Sequence, residues 1–314
     1  MLKNLKKSKI IQICSRIAKI PFFIPYYFIV HFKFKFDILS PQETSFLLFN
    51  KNLSISRFGD GEFNIILRNK SIDFQPYSVE LKANLLKILD NKSVNLALPH
   101  GLKSTKNDKL TVKTFWWMYV TLHYREIIEF VEKTGQKKFL DASFSRTITE
   151  LKDRKVIDQT LFNTKKIWEN KHVVIIEGHD TRFGVGNDLL SRALDITRIL
   201  APSKNAFLKI DEIKSVVVDI LQKNNKLKNW SRSNTVVLAA LGPTASVIVG
   251  QLSLLAQCID IGHFDLQYEY LLQGKYRPTR ISTRFDNENR NGERVSEVTD
   301  KQYLDSIYIN ISEL

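Results

Sequence analysis

From residue 41 onward the apolar positions fall into two rhythms that take turns along the chain. Short runs, continuous or alternating with polar residues, predict strands at Leu53–Arg57, Val94–Leu98, Lys138–Asp141, Val173–Glu177, Thr235–Leu241 and Gln257–Ile261. Apolar residues at helical spacing predict helices at Glu62–Asn69, Val79–Leu89, Val112–Lys133, Asn187–Leu194, Ile210–Gln222 and Ala245–Ala256. This alternation predicts an α/β fold with a mostly parallel sheet flanked by helices. No internal repeat, low-complexity tract or clear linker divides residues 41–314, which read as a single domain. Residues 101–109 form a polar loop. Residues 276–300, rich in Arg and Asn, read as a mobile flap or an extended wrap.

The first forty residues break the pattern. Ile10, Ile13, Cys14 and Ile17 share a helical face, and the run from Ile20 to Val30 is strongly apolar and aromatic. That run is short for a membrane-spanning helix, and Pro21 and Pro25 interrupt it. A secretory signal fits poorly, because tyrosines occupy the run and no small-residue cleavage site follows.

Charge sharpens the contrast. The net charge is +14, and residues 1–40 hold eight Lys/Arg against one acid, Asp37, which is half the total. The basic balance therefore marks an N-terminal arm, and argues against a uniformly basic nucleic-acid-binding domain. Two readings of residues 1–40 stand side by side. The arm lies on the anionic inner face of a membrane as a peripheral contact, or it packs on its own domain or in a dimer. The rest of the composition, 43% apolar and 25% charged, is that of an ordinary globular protein. Two cysteines, Cys14 and Cys258, are too few for a disulfide framework or a usual zinc site, which fits a reducing, cytoplasmic setting.

Candidate chemistry sits where predicted strands end. Arg57-Phe-Gly-Asp-Gly-Glu62 follows the first strand and carries two acids around a glycine. A hard divalent cation takes oxygen ligands, and a nucleotide diphosphate needs such a cation to offset its charge. On an extended segment Asp60 and Glu62 face the same way, so both can reach one ion, while Gly59 and Gly61 let a ligand come close. The competing reading is that Asp60 caps a helix and Glu62 is a favourable first-turn acid. Val173–Leu190 reads as strand, glycine loop and helix start, an element that offers N–H groups to an anion. There Arg182 is a candidate phosphate contact or a simple loop arginine. Glu177 binds a ribose or metal, or pairs with an arginine. Gly184 and Gly186 begin a dinucleotide fingerprint, but Leu189 stands where its third glycine belongs.

Gly242-Pro-Thr244 follows another buried strand: Gly242 makes the turn, Pro243 starts a helix, and Thr244 or Ser246 can meet orphan N–H groups or an oxyanion. After the last predicted strand come Asp260, His263, Asp265 and Glu269. His263 or Glu269 can take a proton from an attacking hydroxyl, or His263 can be a metal ligand or a structural residue. Phe115-Trp116-Trp117 can stack a base or sugar, or belong to the core.

Four of these motifs, Arg57–Glu62, Glu177-Gly178 with Gly184–Asp188, Leu241–Ala245, and Asp260–His263 with Tyr268-Glu269, occur in this order over residues 45–290. In this the chain resembles the GT-D-fold glycosyltransferases, a bacterial family first catalogued as a domain of unknown function. The resemblance implies a Rossmann-like domain and metal-dependent transfer of a hexose from a nucleotide sugar, usually a UDP-hexose such as UDP-glucose. It implies a glycan or glycoprotein acceptor and a D-x-E motif, here Asp60 and Glu62, that engages Mn²⁺ or Mg²⁺ and the donor. His263 and Glu269 match the family's candidates for acceptor activation. Arg57, Gly59, Arg182, Gly242, Pro243 and Thr244 complete the expected donor site. Arg284–Glu288 departs from the family pattern, which has a lysine-led segment there. The rival classes are a metal-dependent nucleotide phosphohydrolase and a non-enzymatic basic module that binds membrane or nucleic acid.

Overall fold

A computed structural model describes residues 9–286, 289 and 291–313. Lys3, Lys6 and Lys7 of the arm, and Asn287 and Glu288, lie outside the described residues. Nine strands form one sheet: β1 (Asp37–Ile38), β2 (Ile55–Arg57), β3 (Asn95–Leu98), β4 (Lys138–Asp141), β5 (His172–Gly178), β6 (Asp195–Ala201), β7 (Thr235–Ala240), β8 (Gln257–Asp260) and β9 (Ile307–Asn310). Their order is β1-β4-β3-β2-β8-β7-β5-β6-β9, and every pairing is parallel. The fold is α/β and Rossmann-like.

The helices are α1 (Lys9–Lys19), α2 (Phe23–Phe28), α3 (Pro41–Asn50), α4 (Asp60–Arg68), α5 (Val79–Leu89), α6 (Leu110–Thr134), α7 (Thr147–Glu150), α8 (Arg154–Lys165), α9 (Ile210–Lys228), α10 (Pro243–Leu252), α11 (Phe264–Leu272) and α12 (Lys301–Ser306). They cover both faces of the sheet, which is why its strands are apolar on both sides. In β5, Val174 and Ile176 join one core layer and Val173 and Ile175 the other, all four fully buried. Burying each such side chain contributes about 1.5–3 kcal/mol before entropy is counted. Local signals set the helix ends. Ser40 and Glu43 form a reciprocal capping box around Pro41 at the start of α3. Gly135, at φ 62°, ends α6 in the left-handed region.

The six expected strands are all present. Residues 187–194, expected as a helix, are instead a succession of turns leading into β6. Asn187 Oδ1 accepts the N–H of Leu189, and the indole of Trp168 donates to the Leu189 carbonyl, so local polar groups take the bonds that a helix would need.

The arm also differs from expectation. A 3₁₀ turn (Ile20–Phe22) links α1 to α2, and a π turn (Ile29–Lys33) follows, so the helical path runs from Lys9 through Lys33. Pro21 falls in the first turn of the 3₁₀ segment, where a missing N–H costs little. With flanking residues added to the apolar run, Ile13–Lys33 is long and apolar enough to cross a membrane. Its inner side packs on the domain. The Tyr26 hydroxyl donates to the Gly101 carbonyl (3.0 Å), and the Phe23 ring meets Trp117 at 4.9 Å. Tyr26, Ile29, Val30, Phe34 and Phe36 belong to the main core, and β1 pairs with β4, so residues 26–38 are part of the domain. At the other end of the chain, Ile281, Arg284 and Asp286 are buried, which makes this stretch an extended wrap.

Candidate active site

The C-terminal ends of the strands open into one cleft of about 730 Å³. It receives residues 57–64 after β2, 142–150 after β4, 202–206 after β6, 240–243 after β7 and 262–266 after β8. β2 and β8 are neighbours at the point where the chain's progress across the sheet reverses, the place where open α/β sheets bind ligands.

Asp60 and Glu62 both line the cleft. They lie in the first turn of α4, not on an extended segment, so successive side chains turn by about 100° and the two acids do not share a direction. Asp60 is exposed. Glu62 turns back, and its Oε2 accepts the Gly59 N–H at 2.7 Å, which closes a capping interaction. Burial, and then the negative charge of Asp260, push the Glu62 carboxyl from 4.5 up to about 7.

Arg57 joins the ends of β2 and β8. Its Nη2 donates to Asp260 Oδ1 at 2.9 Å and its Nη1 to Ser145 Oγ at 2.9 Å. Gly262, at φ 52°, makes room for this: a Cβ there would stand 2.0 Å from Arg57 Nη2. Arg57 Nε–H is buried with no hydrogen-bond partner. Across the cleft, Gly242 adopts φ 56° and Pro243 opens α10, both lining the cavity; the Phe74 ring occupies the space a Cβ on Gly242 would need.

His263 lines the cleft just ahead of α11, and its Nδ1 lies 3.2 Å from Arg146 Nη1. A guanidinium only donates, so Arg146 is the donor in this contact. Arg146 Nε in turn donates to Glu150 Oε1 at 2.8 Å. Glu150 Oε2 is buried without a hydrogen-bond partner, and burial, outweighing Arg146, raises its carboxyl above the ordinary value. Arg146 and Glu150 were not marked by sequence reasoning. They follow the end of β4, so the strand-end rule that marked the other segments would have found them.

Three expected site residues are not brought to the cleft. Arg182 Nη1 donates to the Ser296 carbonyl at 2.6 Å and anchors the C-terminal wrap. Thr244 is fully buried, its hydroxyl 3.3 Å from Gln75 Oε1. Glu269 Oε1 accepts from Asn187 Nδ2 at 2.6 Å and from Arg284 Nη2 at 3.2 Å. Glu269 shares Arg284 with Asp265. Arg284 Nε donates to Asp265 Oδ2 at 2.6 Å, and Asp265 Oδ1 accepts the Gly184 N–H at 2.7 Å. Glu177 pairs with Arg198 Nη1 at 2.6 Å and accepts the Phe183 N–H, also at 2.6 Å. The loop N–H groups of Phe183 and Gly184 therefore meet carboxylates of this chain, and no helix start follows them to hold an anion. Of the aromatic cluster, Phe115 and Trp116 line the cleft, while Trp117 donates to Thr105 Oγ1.

Among the described residues, no group of three or more His, Cys, Asp or Glu is placed to hold a metal ion alone. Asp60 and Glu62 supply two carboxylates at the mouth of an open cleft. Asp60, the exposed one of the two, is the carboxylate open to a Mg²⁺ or Mn²⁺ of the kind held by one or two carboxylates and completed by substrate phosphates and water, whereas Glu62 would have to leave the Gly59 N–H to join it.

Comparison with known proteins places the fold in a family. Residues 55–289 match the family model of the glycosyltransferase GT-D fold. The chain is 28% identical over 281 residues to the probable glycosyl transferase Gly of Streptococcus gordonii, covering 88% of this chain and 39% of that protein. It is 28% identical over 275 residues to glycosyltransferase GlyD of Streptococcus pneumoniae, covering 86% and 32%. The chain thus spans less than half the length of these curated relatives. Among solved structures, a glycosyltransferase (DUF1792) from Streptococcus sanguinis superposes with a TM-score of 0.74 at 28% identity, covering 88% of this chain and all of that one. A selenomethionine structure of domain of unknown function 1792 gives 0.75 at 27%, covering 90% and 98%. The chain belongs to the GT-D-fold glycosyltransferase family.

Proposed function

We propose that this chain is a metal-dependent hexosyltransferase. It moves a hexose from a nucleotide sugar, a UDP-hexose such as UDP-glucose, to a hydroxyl group of a glycan or glycoprotein acceptor. The observation that carries this reading is the cleft itself. It gathers the Asp60 and Glu62 carboxylates, the Arg57 guanidinium and the N-terminus of α10 around a space of the size small-molecule sites use.

Sugar transfer breaks the bond between the anomeric carbon and a diphosphate oxygen, and negative charge grows on the diphosphate. Asp60, with Glu62 if it swings away from Gly59, would hold a Mn²⁺ or Mg²⁺ ion, which would supply positive charge against that growth. The Arg57 guanidinium and the positive end of the α10 dipole, both at the cleft wall, add fixed positive potential toward the same oxygens. In a direct, inverting transfer, Glu150 receives the acceptor proton: its Oε2 is unpartnered and burial raises its proton affinity. Glu269 holds Arg284 behind the cleft and takes no part in the proton transfer.

The test is a panel of nucleotide sugars with Mn²⁺ or Mg²⁺, read by thermal shift and donor turnover. One donor raises the melting temperature only when metal is present. The Asp60→Ala variant stays folded, by its circular dichroism and a cooperative melt, and loses both the shift and turnover. Near-normal turnover in that variant sinks the assignment. Phosphate release without sugar incorporation into any acceptor points to a phosphohydrolase instead.

A further inference from the structure

The helical arm packs on the domain with one side only. Tyr26, Ile29 and Val30 are buried, while Ile13, Ile17, Ile20, Ile24 and Phe28 are exposed, Ile17 by 60% and Ile24 by 63%. Ile13 and Ile17 before the 3₁₀ turn, and Ile24 and Phe28 after it, are i, i+4 pairs, so each pair lies along one exposed side of its helix. Phe32, 63% exposed, extends the stripe. A contiguous apolar face of this kind marks an interaction surface.

Charge selects the occupant. Residues 1–40 carry +7, with Lys33 and Lys35 exposed at one end of the stripe and Arg16 and Lys19 half-buried near the other. Two copies pressed stripe to stripe would bring two +7 segments together with no acid on the stripe to offset them. An anionic lipid surface attracts the same residues, and its acyl boundary takes up the isoleucines and phenylalanines. The helix is long enough to cross a bilayer, but its packing opposes that. Crossing would break the Tyr26–Gly101 hydrogen bond and the Phe23–Trp117 contact, and would pull Ile29 and Val30 out of the core. We infer that residues 13–32 form an in-plane anchor that seats the enzyme on a bilayer of anionic phospholipid, with the arm still docked on α6.

The experiment uses the full chain and vesicles of phosphatidylcholine with or without phosphatidylglycerol. The protein sediments with the anionic vesicles, less with neutral ones, and less as salt rises. A triple variant, Ile17→Ser, Ile24→Ser and Phe28→Ser, keeps its melting temperature and nucleotide-sugar turnover and binds at least about tenfold more weakly. Alkaline carbonate releases the bound protein. Three results overturn the inference: wild type that stays in solution with anionic vesicles, a triple variant that sediments like wild type, or protein that resists alkaline release as a spanning helix does. A lipid-free dimer dissolved by the triple variant assigns the face to a second copy and overturns it as well.

Discussion

At the ends of β3 and β4 one imidazole stands between two buried carboxylates. His100 Nδ1 lies 3.0 Å from Asp141 Oδ2, and Nε2 lies 2.8 Å from Asp108 Oδ1. Burial alone lowers the pKa of His100, but Asp141 and Asp108 outweigh it and hold the ring well above the ordinary 6.5. A raised folded-state pKa contributes stability that is full below the unfolded value and is lost as pH rises through the folded one. The melting-temperature gap between wild type and His100→Gln is therefore widest below about pH 6.5 and narrows in more alkaline buffer. At neutral pH the variant loses on the order of 3–5 kcal/mol, because two buried anions are left uncompensated. A gap that widens with pH refutes the charged imidazole. For chemistry, Glu150→Gln lowers kcat by about 10²–10⁴ with the fold intact, if transfer is direct and inverting; a variant with wild-type kcat removes Glu150 from the proton path. Asp60, Glu62, Gly242 and His263 were legible as cleft residues because each follows a strand end. Arg182 and Glu269 also follow strand ends, but their partners, Ser296 and Asn187, lie far along the chain, and only folding shows that those side chains are already engaged.

Elements repeat the lesson with a different physical cause. The six strands that could be read are short, mostly apolar runs whose charged residues, Arg57, Lys138, Asp141, Glu177 and Asp260, stand at or near an end and not in the middle. β6 (Asp195–Ala201) escaped notice because Arg198 stands in its middle, and a charge inside a buried strand argues against it. The charge is tolerated because Glu177 on the neighbouring strand β5 takes it at 2.6 Å. The box that starts α3, Ser40-Pro-Gln-Glu43, was a readable signal that hydrophobic periodicity alone passed over. The turn from β7 into α10 supports a sharper expectation. Gly242→Ala must hold φ near 56° and displace the Phe74 ring, whose Cε2 would lie 2.3 Å from the new Cβ. We expect a loss of about 1–3 kcal/mol in denaturant unfolding. Nucleotide-sugar affinity should fall more steeply than stability, since Phe74 lines the cleft. Unchanged stability and affinity would show that the turn relaxes without cost.

For the whole molecule, the boundary read at residue 40 does not match the packing. Charge and aromatic content set residues 1–40 apart in sequence, yet Tyr26, Ile29, Val30, Phe34 and Phe36 complete the main core. Removing residues 1–19 leaves that core untouched and should preserve melting temperature and turnover. Removing residues 1–40 strips out five buried side chains and the strand β1, and should lower the melting temperature by on the order of 10 °C or leave the chain insoluble. Equal stability of the two truncations would mean the arm is dispensable to the fold. The strand order has one more effect, on synthesis. β2 sits mid-sheet and pairs with β8, and the Arg57–Asp260 bridge spans 203 residues. At about 5–20 residues per second, a ribosome needs roughly 10–40 s to make that intervening stretch. Even after β3 has paired with one edge of β2, the other edge waits for β8, so premature termination before residue 257 leaves a fragment with a sticky strand and no floor to its cleft.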